Sequence, residues 1–236
     1  MPATSSPKVR LPVMYHHWSR MTFLHWRYSP AVVQALVPDS LTVETFDGSA
    51  WVALTPFLME GVRAPGLPIL PWLSCFPETN VRTYVRDERG RSGIWFLSLD
   101  AGRLPAALGG RSSYWLPYHW SDMSVRTDDE LVRYRCRRTW PGPRGARCDA
   151  DVRAGAELPE GDELAAFLTA RFRLFTRVAG RLASAEVEHP PWPLRGAEVV
   201  SLEQNLVQAG GLPEPESDPL PLFSSGVPVR VGPWTW

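Results

Sequence analysis

The chain alternates between apolar and polar positions more than it follows helical periods, and the sharpest alternation lies just past Pro77. There Glu78, Asn80, Arg82 and Tyr84 share one parity, and Thr79, Val81, Thr83 and Val85 the other. Strand side chains point to opposite faces in turn. One face therefore carries an acid, an amide, a guanidinium and a phenol, while the other is β-branched throughout and suits a packed sheet. The polar face has two readings. It is either a solvated surface or the wall of a polar cavity, and the flanking Trp72, Cys75 and Phe76 imply the partial enclosure that a cavity needs.

The same period predicts a strand over Met21–Tyr28. Ser29 and Pro30 then supply an N-cap and a first-turn proline for a helix through Val37. Leu41–Phe46 and Ala50–Met59 flank Asp47-Gly48 as the arms of a hairpin. The near-continuous apolar run Gly93–Asp100 reads as a central strand. Further strands are expected at Ser121–Thr127, Glu130–Thr139, Arg147–Arg153, Arg181–Glu188 and Glu198–Gln208, with Pro213–Pro221 an extended loop. One helix stands out, Asp162–Arg177. Its apolar side carries Leu164, Phe167, Leu168, Phe172 and Phe175, and Arg171, Arg173 and Arg177 lie toward the other side. Many strands with few helices predict a mainly β, α+β fold, arranged as a closed antiparallel barrel around a ligand cavity. No repeat or linker divides the chain, so a single domain is expected over 11–236, with 1–10 a flexible leader.

Composition narrows the partners. Net charge is zero and the isoelectric point is near 7, which argues against nucleic acid and anionic membrane. The run Arg133, Arg135, Arg137, Arg138 is the counter-signal, and its alternation with Tyr134 and Cys136 reads as the wet face of a strand neutralised by nearby acids. Three scattered cysteines form no disulfide framework. No stretch has the length of a membrane span or a secretory signal, so a reduced cytoplasmic protein is expected, as a monomer or a homo-oligomer.

Almost every basic residue is arginine, and Lys8 is the only lysine. A mechanism that needs a buried amine, such as a Schiff base, has no residue on which to run. There is no phosphate loop, nucleotide fingerprint or G-x-S-x-G elbow. His16 and His17 are adjacent and point apart in a strand, and the remaining histidines lack metal-ligand spacing, so neither metal nor cofactor is expected. Glu78 and Arg82 sit ~13 Å apart along one strand, too far to pair with each other. Each needs another partner or a ligand between them. Eleven tryptophans are unusual for this length, and Trp18, Trp26, Trp95, Trp115 and Trp120 lie near the segments that would form the barrel.

Several motifs together resemble one group. They are F-L-H-W at Phe23–Trp26, T-F-D-G-x-A-W at Thr45–Trp51, P-E-T-N-V-R-T-Y-V at Pro77–Val85, and W-F-L-S-L-D-A at Trp95–Ala101. H-P-P-W-P-L at His189–Leu194 and S-G-V at Ser225–Val227 complete the set. The chain resembles the YqjF-like family of uncharacterised bacterial proteins, placed in the acetoacetate-decarboxylase-like superfamily. The resemblance implies a closed antiparallel barrel around an internal cavity. It also implies that Glu78 keeps a cavity carboxylate and that the early arginine falls near Arg20. The superfamily's lysine pair falls on Leu104-Pro105-Ala106-Ala107-Leu108-Gly109, where both lysines are alanine. An imine mechanism is therefore excluded, and the fold alone supplies no function.

Two functions remain. The first is a cofactor-free lyase, isomerase or cyclase acting on a small carbonyl or carboxylate compound. Glu78 and Arg82 would be the catalytic pair, with Arg20, His25, Asn80, Tyr84, Trp95 and Tyr118 around the substrate. The second is a non-catalytic protein that binds or senses a small molecule in the same cavity.

Overall fold

Strands dominate residues 6–159 and 161–236, which the computed structural model describes. β1 (Met14–Tyr28) leads into α1 (Pro30–Gln34), followed by β2 (Leu41–Val43), β3 (Thr45–Phe46) and β4 (Ser49–Arg63). β5 (Phe76–Asp87) and β6 (Ser92–Ala101) precede α2 (Leu104–Ser113), and β7 (Tyr118–Asp128), β8 (Leu131–Trp140) and β9 (Arg147–Glu157) come next. α3 (Glu163–Thr169), β10 (Arg173–Val178), β11 (Arg181–Glu188), β12 (Leu194–Gln204), α4 (Leu206–Ala209) and β13 (Leu220–Thr235) complete the order. None of these helices is long and apolar enough to cross a membrane.

All strands join one sheet, in the order β11-β10-β6-β7-β8-β9-β12-β13-β1-β4-β5-β2, with β3 on β4. β5 also pairs with β6, and β11 with β13. The pairing is not antiparallel throughout: β6 runs parallel to β7 and to β10. Parallel neighbours need a crossover connection, and α2 lies within the one that joins β6 to β7. The Asp47-Gly48 turn adopts positive φ at both residues (51° and 73°), which closes the β3–β4 hairpin with Thr45 opposite Ala50.

The expected helix over Asp162–Arg177 is half as long. Asp162 caps α3 by accepting a hydrogen bond from the Ala165 amide at 2.9 Å, but the helix stops at Thr169. The second half is β10, which pairs with β11 on one side and β6 on the other. Phe172 and Phe175 are three apart, which puts them on one face of a helix but on opposite faces of a strand. The Ala179-Gly180 turn, with φ of 47° and 83°, decides for the hairpin. Phe167, Leu168 and Phe175 are buried as the helical reading requires, whereas Phe172 is only half-buried.

Other departures are smaller. The strand expected to reach Gln208 ends at Gln204 and gives way to α4. β13 is the longest strand, yet Pro221, Pro228 and Pro233 hide it in the sequence. Arg133 and Arg135 do lie on a wet face, against Asp128 and Asp151. Arg138 is fully buried instead. Of the expected leader, residues 1–5 lie outside the described residues, while Val9 is buried and its amide donates to Glu188 at 2.8 Å.

β5 divides the interior. Val81 and Val85 join the main apolar cluster with Leu24, Leu54, Tyr134 and Val152. The opposite parity turns toward a cavity.

Candidate functional site

The cavity has a volume of about 530 Å³, in the range of small-molecule sites. Glu78, Asn80 and Arg82 line it from β5, all nearly fully buried, and Tyr118 joins them from the start of β7. Strand register determines their neighbours. Phe57 and Ala101 flank Glu78, Thr55 and Leu99 flank Asn80, and Ala53 and Phe96 flank Arg82. The polar groups thus form a stripe one strand wide between largely apolar strands.

That setting shifts the acid. Burial pushes the Glu78 carboxyl up to about 7, and Asp100 adds to the rise; hydrogen bonds from Tyr118 and Asn80 hold it back. The Tyr118 hydroxyl donates to Glu78 Oε2 at 2.9 Å. Gly110 of α2 makes this possible, because a Cβ there would fall 2.2 Å from the Tyr118 ring. A carboxyl poised near 7 can accept or deliver a proton at neutral pH.

Arg82 is 5% exposed and sits over the Phe23 ring at 5.4 Å. Burial lowers its pKa, and Tyr84 opposes that effect. Among the described residues no carboxylate forms an ion pair with Arg82, and its Nε has no hydrogen-bond partner. An unpaired buried guanidinium is costly unless something anionic arrives.

The other sequence-derived residues divide. Tyr84 shares the parity of Arg82 but lies beyond the cavity, hydrogen-bonded at 2.9 Å to His25 Nε2. His25 is buried one layer behind, and burial lowers its pKa to about 3, so it is neutral. Trp95 has the opposite parity to the cavity residue Ile94 and packs on the main apolar cluster. Arg20 does not line the cavity either. It has φ of 48° and forms the extra residue of a bulge, which shifts the β1–β4 register between Ser19 and Leu24. Its carbonyl accepts from the Tyr134 hydroxyl at 2.6 Å. The bulge switches parity, so His16 and Trp18 face the cavity before it and Met21 after it. Gly226 lies opposite with φ of 133°, where a Cβ would stand 2.1 Å from the Trp18 carbonyl oxygen.

Several lining residues escaped the sequence reading. Arg171, assigned to the wet side of a long helix, is buried at the cavity wall, where it pairs with Glu44 and stacks on Phe167 and Tyr84 at 4.4 and 4.8 Å. His16 is held neutral by burial, its pKa lowered to about 3, and neither ring nitrogen has a partner among the described residues. Trp18 stacks on Trp192 at 5.8 Å, and His189 lies 5.0 Å from Trp192. The H-P-P-W motif signalled this pair, as part of the resemblance and not as a site. Pro105, Ala106, Gly109 and Gly110 form another part of the wall. Of the two alanines singled out in the sequence, Ala106 lines the cavity and Ala107 does not, whereas Lys8 is exposed elsewhere. Among the described residues no group of three His, Cys, Asp or Glu side chains is arranged to hold a metal.

Comparison with known proteins gives a family and a fold. Residues 15–228 match the DUF2071 family of uncharacterized conserved proteins, and the chain belongs to that family. It is 36% identical over 210 residues to the uncharacterized protein YqjF of Bacillus subtilis, covering 88% of this chain and 86% of that one. Among solved structures it resembles acetoacetate decarboxylase from Legionella pneumophila, with a TM-score of 0.68 at 13% identity over 100% of this chain and 92% of the other. It also resembles the enduracididine biosynthesis enzyme MppR complexed with pyruvate, with a TM-score of 0.64 at 12% identity over 95% and 90% of the two chains. At these identities the likeness shows the fold: mainly β, with four short helices, of the acetoacetate-decarboxylase type.

Proposed function

We propose that the protein is a cofactor-free lyase, isomerase or cyclase acting on a small carbonyl or carboxylate compound. The returning strand pairings would close as a barrel around its cavity. One observation carries the reading: a buried carboxyl poised near 7 and an unpaired buried guanidinium share one cavity. MppR, of the same fold, is known in complex with pyruvate, a ligand of the class that Arg82 would hold. In this mechanism Arg82 binds the substrate carboxylate. Ionised Glu78 takes the proton from the carbon next to the carbonyl, and the electron pair moves onto the carbonyl oxygen, where the Arg82 guanidinium also donates. Protonated Glu78 then returns the proton to another carbon or to a departing hydroxyl. No amine at Ala106 or Ala107 can form an imine.

The two alanines also favour a second reading, a protein that binds the same compound without chemistry. Glu78→Gln separates the two. It keeps shape and most hydrogen bonding but removes proton transfer. In an enzyme, turnover falls about a hundredfold or more while affinity changes little. Loss of affinity alone, with no turnover found in the wild type, would establish the binding reading instead.

A further inference from the structure

Polarity in the cavity is graded, and the gradient runs opposite to that of a usual polar-mouthed site. The groups with unmet hydrogen-bonding capacity lie deep. Among the described residues Arg82 Nε, Asn80 Oδ1, Arg171 Nη2 and both ring nitrogens of His16 lack partners, and all four residues are 7% exposed or less. The rim is apolar. Leu67, Leu70 and Leu73 line the cavity while remaining 61%, 52% and 37% exposed. They belong to the proline-rich segment between β4 and β5, where Ile69 and Trp72 are exposed as well. A run of consecutive exposed apolar side chains is rare on a soluble surface and marks a binding groove more often than chance.

The wall between floor and rim is also apolar. Phe57, Met59, Phe96 and Leu99 flank the polar stripe on the neighbouring strands, Met21 adds to the wall from β1, and Trp18 and Trp192 contribute a stacked pair. Such a wall offers a small polar acid nothing beyond the floor itself. It does offer a hydrocarbon chain continuous burial from floor to mouth, at about fourfold in affinity per methylene.

We propose that the ligand is an amphipathic carboxylate. Its carboxylate meets the Arg82 guanidinium at the floor, and an unbranched apolar chain runs along the wall to the Leu67–Leu73 rim. This inference rests on the reading of Arg82 as the carboxylate anchor and adds the chain.

Titration calorimetry with butyrate, hexanoate, octanoate and octanol tests it. Affinity should rise about fourfold per methylene from butyrate to octanoate, and octanol should bind about tenfold or more below octanoate. Leu70→Asp, an exposed change that should leave the fold intact, should cost octanoate about tenfold and leave butyrate nearly unaffected; Leu67→Asp should repeat the pattern. Arg82→Met should weaken every carboxylate while octanol holds. Equal binding of butyrate and octanoate would overturn the chain and leave the anchor standing. If octanol matches octanoate, or if Arg82→Met binds octanoate as well as the wild type does, the anchor falls and the proposed head-group chemistry falls with it.

Discussion

Two buried arginines, Arg82 on β5 and Arg138 on β8, occupy opposite situations in one sheet. Arg138 closes its charge inside the fold. Its Nε and Nη2 donate to the two oxygens of Asp100 at 2.9 and 2.7 Å, and Ser121 adds a hydrogen bond at 2.6 Å to the same carboxylate. Both partners are essentially inaccessible to water. Arg82 is nearly as buried but has no carboxylate to pair with among the described residues, and it faces a cavity. Burial alone therefore does not identify a functional charge. The informative arginine is the one whose folded environment leaves it incomplete, because such a charge is tolerated only where something else completes it.

The comparison is broken most directly by removing each side chain in turn. Arg138→Met strands Asp100 in the interior with a single hydroxyl partner, and unfolding stability should fall by about 3–5 kcal/mol. Arg82→Met removes a charge with no acid to orphan, so stability should stay within about 1 kcal/mol of wild type or rise. Urea unfolding of the two variants measures both. If Arg82→Met proved as damaging as Arg138→Met, Arg82 would be a structural residue.

The sequence made one of these arginines legible and not the other. Strict alternation from Glu78 to Val85 identified the cavity face of β5 because both parities had distinct chemistry, and the register with β4 and β6 agrees. Arg138 looked like one more member of an exposed basic run, although it shares the parity of the buried Val132, Tyr134 and Cys136. Arg171 was misread against its own spacing: four residues from both Phe167 and Phe175, it belongs on their apolar side even in a helix, and it is buried where α3 gives way to β10. Arg20 shows the reverse error. The resemblance alone put it at the site, but it stands at positive φ in a bulge that takes it out of the cavity, and single-residue bulges leave little trace in composition. Local period carried the elements; non-local pairing decided which charges are enclosed.

Glu78 sharpens the comparison through pH. Its carboxyl is raised from an ordinary 4.5 to about 7, so between these values the folded protein holds a proton that the unfolded chain has released. Stability therefore falls as pH rises through this window, by about 3 kcal/mol for this group. His16 and His25 act in the opposite sense: lowered from 6.5 to about 3, they cost stability as pH falls through their own window. The Glu78 contribution is isolated by subtraction. Relative to Glu78→Gln, the wild type should lose about 3 kcal/mol between pH 4.5 and 7, measured by chemical unfolding at each pH. A difference that does not change with pH would mean that Glu78 is ionised across the range and is no proton carrier at neutral pH.

The smallest expected effect tests which neighbour restrains that acid. Tyr118 donates to Glu78 at 2.9 Å, and this bond favours the ionised carboxylate. Tyr118→Phe keeps the ring that Gly110 accommodates and removes only the hydroxyl. The Glu78 carboxyl then loses its largest opposing influence while its burial is unchanged. Its midpoint should rise above 7, with global stability otherwise lowered by about 1 kcal/mol. Carboxyl-carbon NMR titration of the variant reads the midpoint directly. An upward move shows that the Tyr118 bond restrains Glu78 and that the fold sets the acid by opposing desolvation with one hydroxyl. No move would shift that role to Asn80, the other group that holds the carboxyl down, and place Tyr118 in the wall as packing alone.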